Sequence, residues 1–201
     1  GTIREQLLNK GIGRRDQWRV VPLGLDLSAF AQLPFPDSST PVRVGVVGRL
    51  VPIKNTRLFL HAFAGVARHP SGPSLRGVIV GDGPLRATLE QEAKRLGVEP
   101  LVHFTGWQQD LCAVYEGPDV ACLTSWNEGT PVALIEAMAA GRAVVATDVG
   151  GVRELLADGG GSQAPIPQRG FQIAQRGILV SPGDVDGLVA ALNQVGRDPL
   201  L

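Results

Sequence analysis

From residue 41 onward the apolar positions alternate between two kinds of run. Short, nearly unbroken Val/Ile/Leu stretches occupy residues 42–48, 77–81, 101–104, 119–124, 143–147 and 178–180. Such runs suit strands covered on both faces. Between them lie longer stretches at 56–68, 85–96, 110–116, 131–140, 152–157 and 185–195, where apolar residues recur with a helical period. The alternation predicts βαβ units, and hence a doubly wound, Rossmann-like α/β fold with a six-stranded parallel sheet and helices on both faces. Punctuation agrees: Pro84 and Gly97 bracket one predicted helix, Pro131 and Gly141 another.

Residues 1–40 stand outside this repeat. They predict a short helix ending at Gly11, a strand over 19–22 and a Pro/Ser-rich linker over 33–41. The chain opens on Gly1 and enters the helix directly, so 1–40 is read as a lead-in from a missing N-terminal domain and 41–201 as the domain proper. Residues 159–177 read as an inserted loop, rich in Gly, Pro and Gln. Lys10, Arg14, Arg15 and Arg19, diluted by Gly and Asp16, read as a solvated surface.

Charge narrows the function classes. Nineteen basic residues balance nineteen acidic ones, so no overall field gathers nucleic acid or an anionic membrane, and any anion site must be local. No apolar run approaches the ~20 residues of a membrane span, and a signal pattern is missing at the N-terminus. A cytoplasmic location is expected, with any membrane contact made through the absent domain. Cys112 and Cys122 lack metal-ligand spacing and read as small buried hydrophobes. His61, His69 and His103 lie on separate elements, so no metal site is expected. Asp184-Val185-Asp186 has the form of an Asp-x-Asp metal pair, but its place before the last helix reads as a helix start.

In an open parallel sheet, ligands bind beyond the carboxyl ends of the strands. Two loops there carry chemistry. The first runs from Gly48 through Arg49 to Lys54: a strand ends at glycine and two cations flank a turn before a helix. A guanidinium fork and an ammonium could neutralise a diphosphate, although two solvated surface charges are an equal alternative. The second runs from Ser125 through Glu128, Gly129, Thr130 and Pro131 into the helix that holds Glu136. Thr130 is expected to cap that helix and Pro131 to be its first residue, leaving first-turn N–H groups for an anion. Gly129 allows close backbone approach. Glu136 is the anomaly, because every neighbour from 132 to 140 is apolar. A carboxylate so enclosed needs partners. The two hydroxyls of a ribose would serve, as would a structural salt bridge, and Glu128 either accepts from sugar hydroxyls or is a solvated loop acid. The Gly81-Asp82-Gly83-Pro84 and Asp148-Val149-Gly150-Gly151 loops converge on the same edge and permit tight turns.

Taken in order, these landmarks resemble the C-terminal domain of retaining glycosyltransferases of family 4, which have the two-domain GT-B fold. The likeness rests on Val21 to Asp26 with Phe30, Gly48-Arg49-Leu50 with Lys54, Val80 to Pro84, and Phe104-Thr105-Gly106. It continues through Glu128 to Pro131 with Glu136-Ala137, Thr147 to Glu154, Gly177 to Val180, and Pro182-Gly183-Asp184. The resemblance implies that Arg49 and Lys54 contact the diphosphate of a nucleotide-sugar donor and that Glu136 takes the ribose. It also implies that Glu128 touches the transferred hexose, that Gly129, Thr130, Pro131 and Val132 line the donor, and that the base sits near Phe104, Gly106 and Trp107. Gly48, Gly81 and Gly83 complete the donor-binding set. No cofactor and no divalent metal is expected, since Arg, Lys and a helix N-terminus supply the positive charge. The partner is the donor, with the missing acceptor-binding domain needed for catalysis. Asn55 departs from the glycine common in the family after the lysine, and the 159–177 loop is longer than usual. A nucleotide-sugar-binding module without catalysis, or an epimerase on the same scaffold, is the alternative.

Overall fold

The computed structural model describes residues 2–19, 21, 23–37, 41–157 and 166–198. The expected alternation is present. Strands β1 (Val42–Val47), β2 (Leu75–Val80), β3 (Val102–Gly106), β4 (Val120–Leu123), β5 (Ala143–Thr147), β6 (Phe171–Ala174) and β7 (Gly177–Val180) form one sheet of order β3-β2-β1-β4-β5-β7-β6. Helix α1 (Thr2–Asn9) precedes it. Helices α2 (Thr56–Ala67), α3 (Arg86–Leu96), α4 (Leu111–Glu116), α5 (Val132–Ala139), α6 (Val152–Leu156) and α7 (Val185–Arg197) connect or close the strands.

The sheet has seven strands where the hydrophobic runs predicted six. The additional one, β6, lies in the segment read as a loop and pairs antiparallel with β7, Phe171 opposite Val180 and Ala174 opposite Gly177. An edge strand is covered on fewer sides, so Phe171 and Ile173 alternate with Gln172 instead of forming an unbroken apolar run. The N-terminal part of that loop, 159–165, lies outside the described residues, as do residues 38–40 of the predicted linker. Arg19 and Val21 are not in a strand, contrary to expectation, and their neighbours Val20 and Pro22 lie outside the described residues.

Two apolar layers bury the sheet. On one face α2, α3 and α7 supply Phe59, Phe63, Leu89, Leu188 and Leu192. On the other, α4, α5 and α6 supply Tyr115, Leu134, Val152 and Leu156, joined by Phe30 from the lead-in segment. Phe30 meets Tyr115 edge to face, ring centroids 5.6 Å apart. Strand order follows from this arrangement: the chain winds outward from β1 to β3, then returns to place β4 against the free side of β1. The winding direction reverses between β1 and β4, which opens a crevice at their carboxyl ends.

Candidate functional site

The loops leaving β1 and β4 face each other across that crevice. The β1 loop contains a short 3-10 turn, Pro52–Lys54, stopped by Asn55 in the left-handed region (φ 45°). Asparagine tolerates that conformation better than other non-glycine residues, which reconciles Asn55 with a position where glycine is common. Three contacts stitch the two loops together. The Trp126 N–H donates to the Ile53 carbonyl at 2.8 Å, the Thr124 hydroxyl donates to the Lys54 carbonyl at 3.0 Å, and Lys54 Nζ reaches Glu128 Oε1 at 2.6 Å.

Glu128 is therefore not a solvated loop acid. Its side chain is 10% exposed, and its Oε1 accepts from the Ser125 hydroxyl at 2.6 Å as well as from Lys54. The sequence reading gave Lys54 and Glu128 separate partners, whereas the fold pairs them with each other. Arg49 has neither constraint: it is exposed and has no hydrogen-bond or ion-pair partner among the described residues.

Glycines let these loops close up. A Cβ on Gly81 (φ 128°) would stand 2.1 Å from the Gly48 carbonyl oxygen, and the Gly81 N–H donates to the Gly106 carbonyl at 2.9 Å. Gly48, Gly81 and Gly106 thus meet at the tips of β1, β2 and β3, with Gly83 packed on the Leu50 backbone. On the other side, a Cβ on Gly150 would lie 1.8 Å from the Glu128 carbonyl oxygen, and one on Gly151 would lie 2.2 Å from that of Gly129. The loop after β5 is the bed on which the Glu128 loop rests.

Helix α5 starts one residue later than expected. Pro131 (φ −79°, ψ 73°) is the cap and Val132 the first helical residue. The Val132 N–H is turned back onto the Thr130 carbonyl at 2.9 Å, so it is not available in the way its predicted role requires. The N–H groups of Gly129, Thr130 and Ala133 remain unpaired among the described residues. One turn further in, Glu136 is half-buried and its Oε2 accepts from the Tyr115 phenol at 2.7 Å. Burial first, then the carboxylate, raises the Tyr115 pKa well above the usual tyrosine range. The phenol stays protonated and serves as a donor. Glu136 is thus held by a tyrosine, not by a buried arginine.

Of the residues predicted to lie near the base, Phe104 is partly buried and packs on the core, Gly106 is buried, and Trp107 is 72% exposed. The reading of the sequence missed Ser125 as the partner of Glu128 and Tyr115 as the partner of Glu136. Ser125 sits within the same loop and could have been found by its spacing to Glu128. Tyr115 lies on another helix and carries no local signal. Among the described residues no group of three or more His, Cys, Asp or Glu is placed to hold a metal ion, and no helix is long and apolar enough to cross a membrane. Asp184 accepts from the Gly187 N–H at 2.9 Å, as a helix cap does. Chemically, the crevice offers an unpaired guanidinium, an ammonium, free backbone N–H groups and two carboxylates, a set suited to a ligand with both anionic oxygens and hydroxyls.

Comparison with known proteins places this geometry in context. The family model described as "Glycosyl transferases group 1" matches residues 41–198. A D-inositol 3-phosphate glycosyltransferase of Nocardia farcinica is 32% identical over 162 residues, covering 72% of this chain and 35% of that protein. Among solved structures, the apo form of the lipopolysaccharide outer core galactosyltransferase WaaB superposes with a TM-score of 0.73 at 25% identity, covering 99% of this chain and 52% of that one. Anabaena HepE, solved in complex with UDP and glucose, superposes with a TM-score of 0.74 at 24% identity, covering 96% of this chain and 51% of that one. The chain therefore spans 35% of the length of the Nocardia relative and about half that of the solved structures.

Proposed function

The chain belongs to the group 1 glycosyl transferase family, and from that premise we propose that it is the C-terminal, donor-binding part of a retaining enzyme of glycosyltransferase family 4. In this reading residues 41–201 form the donor domain of a two-domain GT-B enzyme and residues 1–40 lead in from the acceptor-binding domain. The reaction is transfer of a hexosyl group from a nucleotide-diphosphate sugar.

One observation carries the reading: partnerless Arg49 stands beside the Lys54–Glu128 pair at the point where the winding of the sheet reverses. A diphosphate laid against the β1 loop would meet Arg49 directly and draw Lys54 from Glu128. The unpaired N–H groups at the start of α5 would face its oxygens. As the bond from the anomeric carbon to the diphosphate breaks, negative charge grows on the leaving group, and fixed cations at that place lower the barrier. Glu128, held by Ser125 after Lys54 turns away, would accept from hexose hydroxyls, and Glu136 from those of the ribose. Because side chains and backbone supply the positive charge, the proposed reaction needs no divalent metal. The UDP and glucose complex of Anabaena HepE is consistent with such a donor.

Calorimetric titration of the chain with UDP, GDP and ADP, each with and without EDTA, tests this reading. At least one should bind, unaffected by EDTA, and Arg49→Ala should weaken it. Loss of binding in EDTA, or no binding of any nucleotide, would overturn the proposal.

A further inference from the structure

The segment that leads into the domain is joined to it by side chains. Among the described residues every hydrogen bond of residues 26–33 stays within the segment. The Ser28 N–H and hydroxyl donate to Asp26 Oδ1 at 3.0 and 2.6 Å, and the Ala31 and Leu33 N–H groups donate to the Leu27 and Phe30 carbonyls, each at 3.1 Å. Phe30 is buried, and Leu27 and Leu33 pack on the same core layer. Apolar packing is non-directional, so this segment can shift without breaking a ladder of backbone bonds. Phe30 meets Tyr115, which is fully buried. The Tyr115 carbonyl accepts from Arg142 Nε at 2.7 Å, which pins its backbone. With the backbone held, the side-chain torsions decide where the phenol points, and the Phe30 ring, packed against it at 80°, limits those torsions. The phenol is the one hydrogen-bond donor to the Glu136 carboxylate among the described residues. Farther along, Phe35 lies against Gly141 at the end of α5, where a Cβ would stand 2.7 Å from its ring. The lead-in thus touches both the residue that orients Glu136 and the turn that closes the helix bearing it.

We propose that Phe30 is a positioning residue for the ribose: it holds the Tyr115 ring where the phenol fixes Glu136, so the docking of the lead-in segment sets how that carboxylate is presented to the donor. The inference rests on the donor reading above and adds to it a residue outside the crevice. Binding couplings are reciprocal, so a ribose on Glu136 tightens the packing of residues 27–33 in turn.

The test is calorimetry with UDP, GDP and ADP and with inorganic pyrophosphate on the wild type, Phe30→Leu, Tyr115→Phe and the double variant. Phe30→Leu keeps an apolar side chain in the core but removes the ring. It should weaken the nucleotide that binds about threefold to tenfold, as for loss of one well-placed polar contact, and leave pyrophosphate affinity unchanged. In the Tyr115→Phe background the same substitution should have no further effect, because the phenol through which it acts is gone. Additive effects, or equal effects on nucleotide and pyrophosphate, would mean that Phe30 acts through packing in general: the inference is then overturned and the donor reading stands. A second measurement needs no variant. Amide hydrogen exchange at Ala31 and Leu33 of the wild type should slow more with the saturating nucleotide than with saturating pyrophosphate. Equal rates would overturn the inference even where Phe30→Leu fails to fold. If the wild type binds none of the three nucleotides, the donor reading falls and the inference falls with it.

Discussion

Lys54 Nζ and Glu128 Oε1 lie 2.6 Å apart, although 74 positions separate them in the chain. Their side chains are 30% and 10% exposed, so the pair is partly shielded from water. A double-mutant cycle with Lys54→Ala and Glu128→Gln, read by denaturant unfolding, should give a coupling of about 1 kcal/mol or more, above the usual value for exposed pairs. The same cycle read by nucleotide affinity should give a different result: Glu128→Gln should free Lys54 and tighten diphosphate binding, whereas Lys54→Ala should weaken it.

The exposed Arg49 side chain makes no hydrogen bond or ion pair among the described residues, so its removal isolates function from folding. Arg49→Ala should leave the unfolding free energy within about 0.5 kcal/mol. It should cost roughly 10-fold to 100-fold in nucleoside diphosphate affinity, the worth of one charged hydrogen bond. Calorimetry and thermal melts on the same preparation check both halves.

Tyr115→Phe removes the donor to Glu136 but keeps the ring that meets Phe30. Affinity for UDP should change severalfold while affinity for inorganic pyrophosphate stays the same, because only the former carries a ribose. Equal changes for both ligands would detach Glu136 from the ribose.

Gly150→Ala places a methyl group 1.8 Å from the Glu128 carbonyl oxygen at a residue with φ 49°. The Glu128 loop must shift, and the protein should lose about 2 kcal/mol or more. Chemical denaturation measures the loss. Gly97→Ala, with a left-handed φ of 74° but nothing within 4 Å of the added atom, should cost less.

Away from the crevice, Arg95, His61 and Arg57 surround Glu92 and draw its pKa from 4.5 down to about 2, the Arg95 hydrogen bond contributing most. A carboxylate lowered on folding stabilises the protein above its unfolded pKa and loses that contribution as pH falls through the folded one. The stability gap between the wild type and Glu92→Gln should be full above pH 4.5 and shrink as the pH is lowered toward 2. Urea unfolding of both proteins at neutral pH and near pH 3 checks the sign.

Much of this molecule is legible in one dimension. Strands β1, β2, β4, β5 and β7 appear as largely apolar runs because the sheet is covered on both faces, β3 at the other edge shows through Val102 and Phe104, and α2, α3 and α7 appear through their helical period. Strand β6 was hidden because an edge strand alternates, and because the Gly, Pro and Gln around it read as loop. The start of α5 moved by one residue, since Pro131 suits the cap as well as the first turn.

The candidate site divides in the same way. Local sequence fixes what each loop can offer: cations after β1, an acid and free N–H groups after β4, glycines where backbones must touch. Beyond the local Ser125–Glu128 contact it does not fix which groups meet, because the other decisive contacts are long-range. Lys54 with Glu128, Tyr115 with Glu136, Gly150 beneath Glu128 and Trp126 on Gly183 each join different loops or elements. Only the order of strands in the folded sheet, with β4 returned to the free side of β1, brings those pairs within bonding distance.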